Sequence, residues 1–154
     1  MATNPIPRMT AAEYLAMERA SPFKSEFVGG EVFAMSGGLP AHSQLILRFG
    51  RESEDALEDG PCVATVAELR LQVAADTYVY PDVMAVCGGF AVVDGYRDML
   101  TNPVVEVLSE SPERWDRGGK FAQYRRVVSL MEYVPVAQVA MRAEWVTREE
   151  GVMG

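Results

Sequence analysis

Tyr78-Val79-Tyr80-Pro81-Asp82-Val83-Met84-Ala85-Val86-Cys87 is the stretch on which the rest of the chain turns. It reads as one long apolar strand interrupted at Pro81-Asp82. Proline cannot donate to a sheet ladder, so Pro81 marks an edge, a bulge or a strand start, and it bends the chain where Asp82 emerges. A carboxylate in an apolar run is costly unless something pairs with it or binds it. The same oddity recurs in Val105-Glu106-Val107-Leu108, inside a second run, 103–108, that reads as a buried strand. Lys120 follows shortly after.

The bulk of the sequence sets the limits. A chain of 154 residues, 49% hydrophobic and 23% charged, is expected to form one globular domain over residues 1–154 with a real core. No apolar run reaches the roughly 18 residues that span a bilayer. Met1-Ala2-Thr3-Asn4-Pro5 lacks the basic and apolar regions of a signal peptide, so a cytoplasmic location without membrane contact is expected. Cys62 and Cys87 both lie in apolar strand-like runs and read as buried free thiols first, with a disulfide or metal pair as the lesser alternative. A single histidine and two scattered cysteines argue against a structural zinc site. The net charge of −8 argues against a general nucleic-acid coat protein but leaves room for an enzyme with a local basic patch. Arg114, Arg117, Lys120, Arg125 and Arg126 form one such cluster, which reads equally well as a solvated helix face.

Working outward, Thr10-Ala11-Ala12-Glu13 fits a capping box and predicts a helix running to about Ala20, stopped by Ser21-Pro22. Gly29-Gly30 predicts a tight hairpin turn, with Glu26 and Glu31 flanking it in a cross-strand relation. From Ala41 to about Asp59, His42, Leu45, Ile46, Phe49, Ser53 and Leu57 recur at helical spacing, and Gly60-Pro61 ends the helix. His42 therefore starts a helix on its inward side, as a core, capping or site residue. Strands are predicted over 62–66, 68–73 and 78–87, a loop over 88–101, and a strand over 103–108. A third helix is predicted over 113–127, aligning Asp116, Lys120 and Tyr124 along one side, although Gly118-Gly119 weakens it. Runs 131–136 and 139–146 read as a final hairpin, with 149–154 fraying.

If the Asp82 and Glu106 strands are neighbours, their carboxylates can reach one divalent ion, since adjacent strands lie roughly 5 Å apart. Oxygen donors suit Mg²⁺ or Mn²⁺. A nearby lysine could polarise the attacking water and stabilise developing charge on a phosphodiester. Spacing alone also allows a purely structural arrangement: Asp82 ending a strand, Glu106 paired with Arg70, and Lys120 paired with Asp116 one turn earlier.

Pro81-Asp82 followed by Glu106-Val107-Leu108 resembles the PD-(D/E)XK nuclease superfamily. The usual lysine position holds Leu108 here, and Lys120 fits a branch that carries the lysine on the following helix. The chain is similar, more specifically, to the Uma-two family of bacterial restriction-endonuclease-like proteins. The matching stretches include Met9-Thr10-Ala11-Ala12-Glu13-Tyr14-Leu15, Glu26-Phe27-Val28-Gly29-Gly30-Glu31-Val32, His42-Ser43, Tyr80-Pro81-Asp82-Val83, Asp116-Arg117-Gly118-Gly119-Lys120-Phe121 and Glu132-Tyr133-Val134. The resemblance implies an α/β, restriction-endonuclease-like core: a mixed β-sheet flanked by helices, with an N-terminal helix and β-hairpin. It implies that Asp82, Glu106 and the Val107 carbonyl bind Mg²⁺ (or Mn²⁺), and that Asp82, Glu106 and Lys120 are catalytic. Glu26, Glu31, His42 and Tyr124 take supporting roles, with Glu26 the more natural partner for Lys120 or a second metal. The implied activity is endonucleolytic hydrolysis of DNA by a homodimer. A catalytically inactive interaction module on the same fold, and a nuclease acting on RNA or single strands, are the alternatives.

Overall fold

The computed structural model describes residues 8–35, 39–66, 68–87, 91–93, 96–98, 101–108, 121–126, 132–137, 146–149 and 152–153. Helix α1 spans Ala11–Ala20. Its start is the predicted capping box: the Glu13 amide donates to Thr10 Oγ1 at 3.3 Å, and the Thr10 amide donates to Glu13 Oε2 at 2.7 Å. Strands β1 (Ser25–Val28) and β2 (Glu31–Ala34) form the predicted hairpin. Both turn glycines have positive φ, 56° at Gly29 and 97° at Gly30, a pair of conformations that L side chains rarely adopt. The register puts Phe33 opposite Glu26 and Val28 opposite Glu31, so the two glutamates are not direct cross-strand partners. The turn is simply too short to align them.

Helix α2 (Pro40–Leu57) is followed by β3 (Cys62–Val66), β4 (Leu71–Ala74), β5 (Thr77–Val79) and β6 (Val83–Cys87). The predicted strand 78–87 is thus two strands, and they belong to different sheets. One sheet has the order β2-β1-β5-β4. The other has the order β12-β11-β10-β9-β6-β3, where β9 is Thr101–Leu108, β10 Glu132–Ala137, β11 Val146–Glu149 and β12 Val152–Met153. Tyr80, Pro81 and Asp82 carry the chain from the first sheet to the second. The missing N–H of Pro81 ends one ladder, and the next begins beyond it.

The larger sheet is mixed: β9 runs parallel to β10 and antiparallel to β6, which is antiparallel to β3. A mixed sheet flanked by helices, with an N-terminal helix and hairpin, is the architecture expected from the sequence. Helix α2 lies against β3, β6 and β9. Val83, 1% exposed, packs against Ile46 and Phe49 of this helix. Around the first sheet a second core gathers Tyr14, Phe27 and Tyr78, backed by Met9, Leu15 and Met17. Tyr14 and Phe27 stack with ring centroids 4.9 Å apart.

Three further expectations are revised. The predicted 88–101 loop contains a small hairpin, β7 (Ala91–Val93) and β8 (Tyr96–Asp98), and β9 already starts at Thr101. The terminal segment includes β12, which pairs with β11. Cys62 and Cys87 form a disulfide, because the β3–β6 register sets them directly opposite one another. Apolar patterning places both cysteines in strands but carries no information about register. At a sequence separation of 25, the bridge is expected to stabilise the fold by about 3 kcal/mol through unfolded-chain entropy. A urea midpoint that falls on reduction, and equally in Cys62→Ser, checks this.

Candidate active site

The site is built on the crossover between the sheets. Tyr80 and Asp82 are both nearly buried, 5% and 8% exposed. The Tyr80 amide donates to Glu26 Oε1 at 3.0 Å, and the Tyr80 hydroxyl donates to Glu18 Oε1 at 2.9 Å. Pro81 fixes the next φ. Asp82 follows, immediately before β6.

Across the β6–β9 pair, Val83 lies opposite Val105 and Met84 opposite Val104. In an antiparallel ladder the residue before Val83 is level with the residue after Val105. Asp82 and Glu106 therefore occupy level positions on neighbouring chain segments, as the sequence argument required. Glu106 is in turn the register partner of Pro135 on β10, and Val107 that of Val136. From the other side, His42 in the first turn of α2 brings Nε2 to 3.4 Å from Asp82 Oδ1. No side chain caps this helix; Leu39 is at its N-cap and Pro40 at its first position. The inward helical spacing of His42, Leu45, Ile46 and Phe49 turns the imidazole toward the start of β6.

The other predicted residues are distributed as follows. Glu26 is buried, and its carboxylate accepts from the backbone of Tyr80, so it acts on the segment that carries Asp82. Glu31 is exposed on β2. Helix α3 (Phe121–Tyr124) contains Tyr124, and the remainder of the predicted helix over 113–127, with Lys120 and Asp116, lies outside the described residues apart from 125–126. Just past α3, Arg126 Nη2 stands 3.5 Å from Asp76 Oδ1 in the β4–β5 turn, bringing the end of this segment to the first sheet. Among the described residues, no three His, Cys, Asp or Glu side chains gather into a group that could hold a metal ion.

Beneath the crossover lies a polar layer that sequence reasoning missed. Glu18, 6% exposed, accepts from the Ser25 amide at 2.9 Å and Ser25 Oγ at 2.6 Å as well as from Tyr80. Tyr14 donates its hydroxyl to the Ser25 carbonyl at 2.7 Å. Arg70, 4% exposed, sets its guanidinium 5.3 Å from the Tyr78 ring centroid and 6.0 Å from that of Tyr14. A signal was present: Glu18 lies one turn beyond Tyr14, on the face that α1 buries.

Burial, reinforced by the neighbouring Glu18 charge, holds the Tyr14 hydroxyl far above the usual tyrosine range. Burial also raises Tyr80, followed by its hydrogen bond to Glu18. Raised folded values favour the neutral hydroxyls. Their contribution is complete below the unfolded tyrosine pKa of about 10 and is lost as pH rises above it toward the folded values. Urea midpoints measured from pH 8 upward should hold and then fall beyond about pH 10, with a shallower fall in Tyr80→Phe.

Comparison with known proteins agrees with this architecture. The chain shares its fold with a crystal structure described as "a putative nuclease belonging to DUF820" from Anabaena variabilis ATCC 29413. The TM-score is 0.68 at 12% identity, covering 91% of this chain and 85% of that one. Two Synechocystis sp. proteins are similar in sequence, the uncharacterized proteins sll1609 and slr1290. The first is 34% identical over 88% of this chain and 78% of its own length. The second is 32% identical over 91% and 74%. The family model of Uma2, described as "Putative restriction endonuclease", matches residues 11–153, from the first residue of α1 to the last of β12. Helix α1, the glycine hairpin, the histidine-bearing helix and the Pro-Asp crossover all fall inside that match, and this chain belongs to the Uma2 family.

Proposed function

We propose that this chain is a metal-dependent endonuclease that hydrolyses phosphodiester bonds of DNA at the Asp82 crossover. The observation that carries the reading is the level placement of Asp82 and Glu106 across β6 and β9. The donors available there, two carboxylates and the Val107 carbonyl, are all oxygen, the set that Mg²⁺ or Mn²⁺ takes. A cation bound there would neutralise phosphate charge and make water more acidic. The chain's own residues do the rest. Asp82 and Glu106 would hold that cation. His42, 3.4 Å from Asp82, orients that carboxylate. Glu26 holds the Tyr80 backbone in register behind it. Lys120 is assigned the stabilisation of negative charge developing on the phosphate oxygens, with Tyr124, four residues on in the sequence, in a supporting role. Glu31, exposed on β2, is left with no part in the chemistry.

The test is plasmid cleavage with Mg²⁺ or Mn²⁺ against a chelator control, with Glu106→Ala and Lys120→Ala beside the parent. Metal-dependent cleavage lost in both variants supports the proposal. Cleavage that persists in both refutes it. Running the same assay on RNA and on single strands identifies the substrate class.

A further inference from the structure

We infer that Glu18 and Tyr80 are positioning residues for the nuclease centre, clamping the crossover that presents Asp82. The inference rests on the reading of Asp82 as a metal ligand. Asp82 stands two residues beyond Tyr80, with the fixed φ of Pro81 between them. Movement of Tyr80 is therefore passed on to the carboxylate with little slack.

Tyr80 is held at each of its polar ends. Its amide is bonded to Glu26 and its hydroxyl to Glu18. The Lys24 ammonium lies 5.5 Å from the centre of its ring. Glu18 takes its other bonds from the amide and hydroxyl of Ser25, the residue before Glu26. One buried carboxylate on α1 thus ties the start of β1 to the residue that leaves β5. Both carboxylates that grip Tyr80 are anchored in the same corner of the first sheet.

Packing alone does not call for this arrangement. A buried ionic group replaced together with its partners by well-packed apolar residues is often no less stable, whereas removing Glu18 alone strips the Ser25 amide and hydroxyl and the Tyr80 hydroxyl of their acceptor. What three donors on one carboxylate do supply is a fixed position for Tyr80 where the chain leaves the first sheet. Groups behind a metal ligand typically change metal affinity or activity by about 10- to 100-fold when removed. The phenol oxygen of Tyr80 and the Glu18 carboxylate act on Asp82 through the intervening Pro81 backbone, two residues along the chain.

The experiment uses the full chain with Mn²⁺ as calorimetric probe, DNA cleavage resolved into kcat and KM, and amide hydrogen exchange. Tyr80→Phe keeps the ring and removes the hydroxyl. It should weaken Mn²⁺ binding about tenfold and lower kcat, leave KM for DNA within about twofold, and speed exchange at residues 80–83 but not in β3. Glu18→Ala should behave alike. Glu18→Gln, which keeps a carbonyl acceptor for Tyr80 and the Ser25 amide, should restore Mn²⁺ affinity to within about threefold. A Tyr80→Phe variant with parental Mn²⁺ affinity, kcat and exchange overturns the clamp. If Asp82→Ala binds Mn²⁺ as the parent does, the ligand reading of Asp82 fails separately. Exchange at 80–83 in Tyr80→Phe then decides the clamp alone, acceleration supporting it and parental rates overturning it.

Discussion

Asp82→Ala is expected to lower metal-dependent cleavage by on the order of 10³-fold, because metal-borne charge stabilisation is worth several kcal/mol in the transition state. The fold should survive the change. Asp82 lies in the crossover just before β6 and belongs to neither apolar core cluster, and its alanine variant removes a carboxylate that is costly to bury. Urea midpoint and cleavage rate should therefore part company: a nearly unchanged midpoint with the activity gone. Asp82→Asn sharpens the point. It keeps the shape and the polar contact toward His42, 3.4 Å away, while losing the negative charge. A variant at this position that cleaves DNA at the parental rate would refute the assignment. Equal loss of activity and of folding would show a structural role instead.

Tyr14→Ala is expected to have the largest effect on stability, about 3–5 kcal/mol for deleting a buried aromatic ring. The side chain is fully buried, stacked on Phe27 at 4.9 Å and tilted against Tyr78 at 5.6 Å. Its hydroxyl also satisfies the Ser25 carbonyl. Against a total of about 5–15 kcal/mol for an ordinary domain, that loss is enough to leave much of the chain unfolded. Tyr14→Phe separates the two contributions. It keeps the ring and leaves the Ser25 carbonyl without this donor, at a cost of about 1–3 kcal/mol. Urea denaturation of the pair measures both steps, and a Tyr14→Ala midpoint close to the parent would contradict the packing argument.

Local chemistry made much of this readable in advance. The Thr10–Glu13 box, Gly29-Gly30 and the 3.6-residue rhythm of α2 are rules that act within a few residues, and each element appears where they place it. The Asp82–Glu106 relation was also legible, because each was a lone carboxylate in an apolar run. What escaped depended on register and on sheet membership. Residues 78–87 look uniform in hydrophobicity, yet Pro81 divides them between two sheets. The Cys62–Cys87 bond follows from strand pairing that no local pattern specifies. The bonds of Glu18 escape for the same reason, since its partners Ser25 and Tyr80 come from other elements.

The crossover also orders the events of folding. The β1–β2 hairpin can close from residues 25–34 alone, a local contact with little loop entropy to overcome. The level pairing of Asp82 and Glu106 demands that β6 find β9 across the 88–100 segment, and that β9 then gain its parallel neighbour β10 from still further along the chain. Such distant pairings are slow to form because chain entropy is lost before they are rewarded. During synthesis or refolding, the tyrosine-rich N-terminal layer is thus expected to be assembled while the Asp82 and Glu106 segments are still apart.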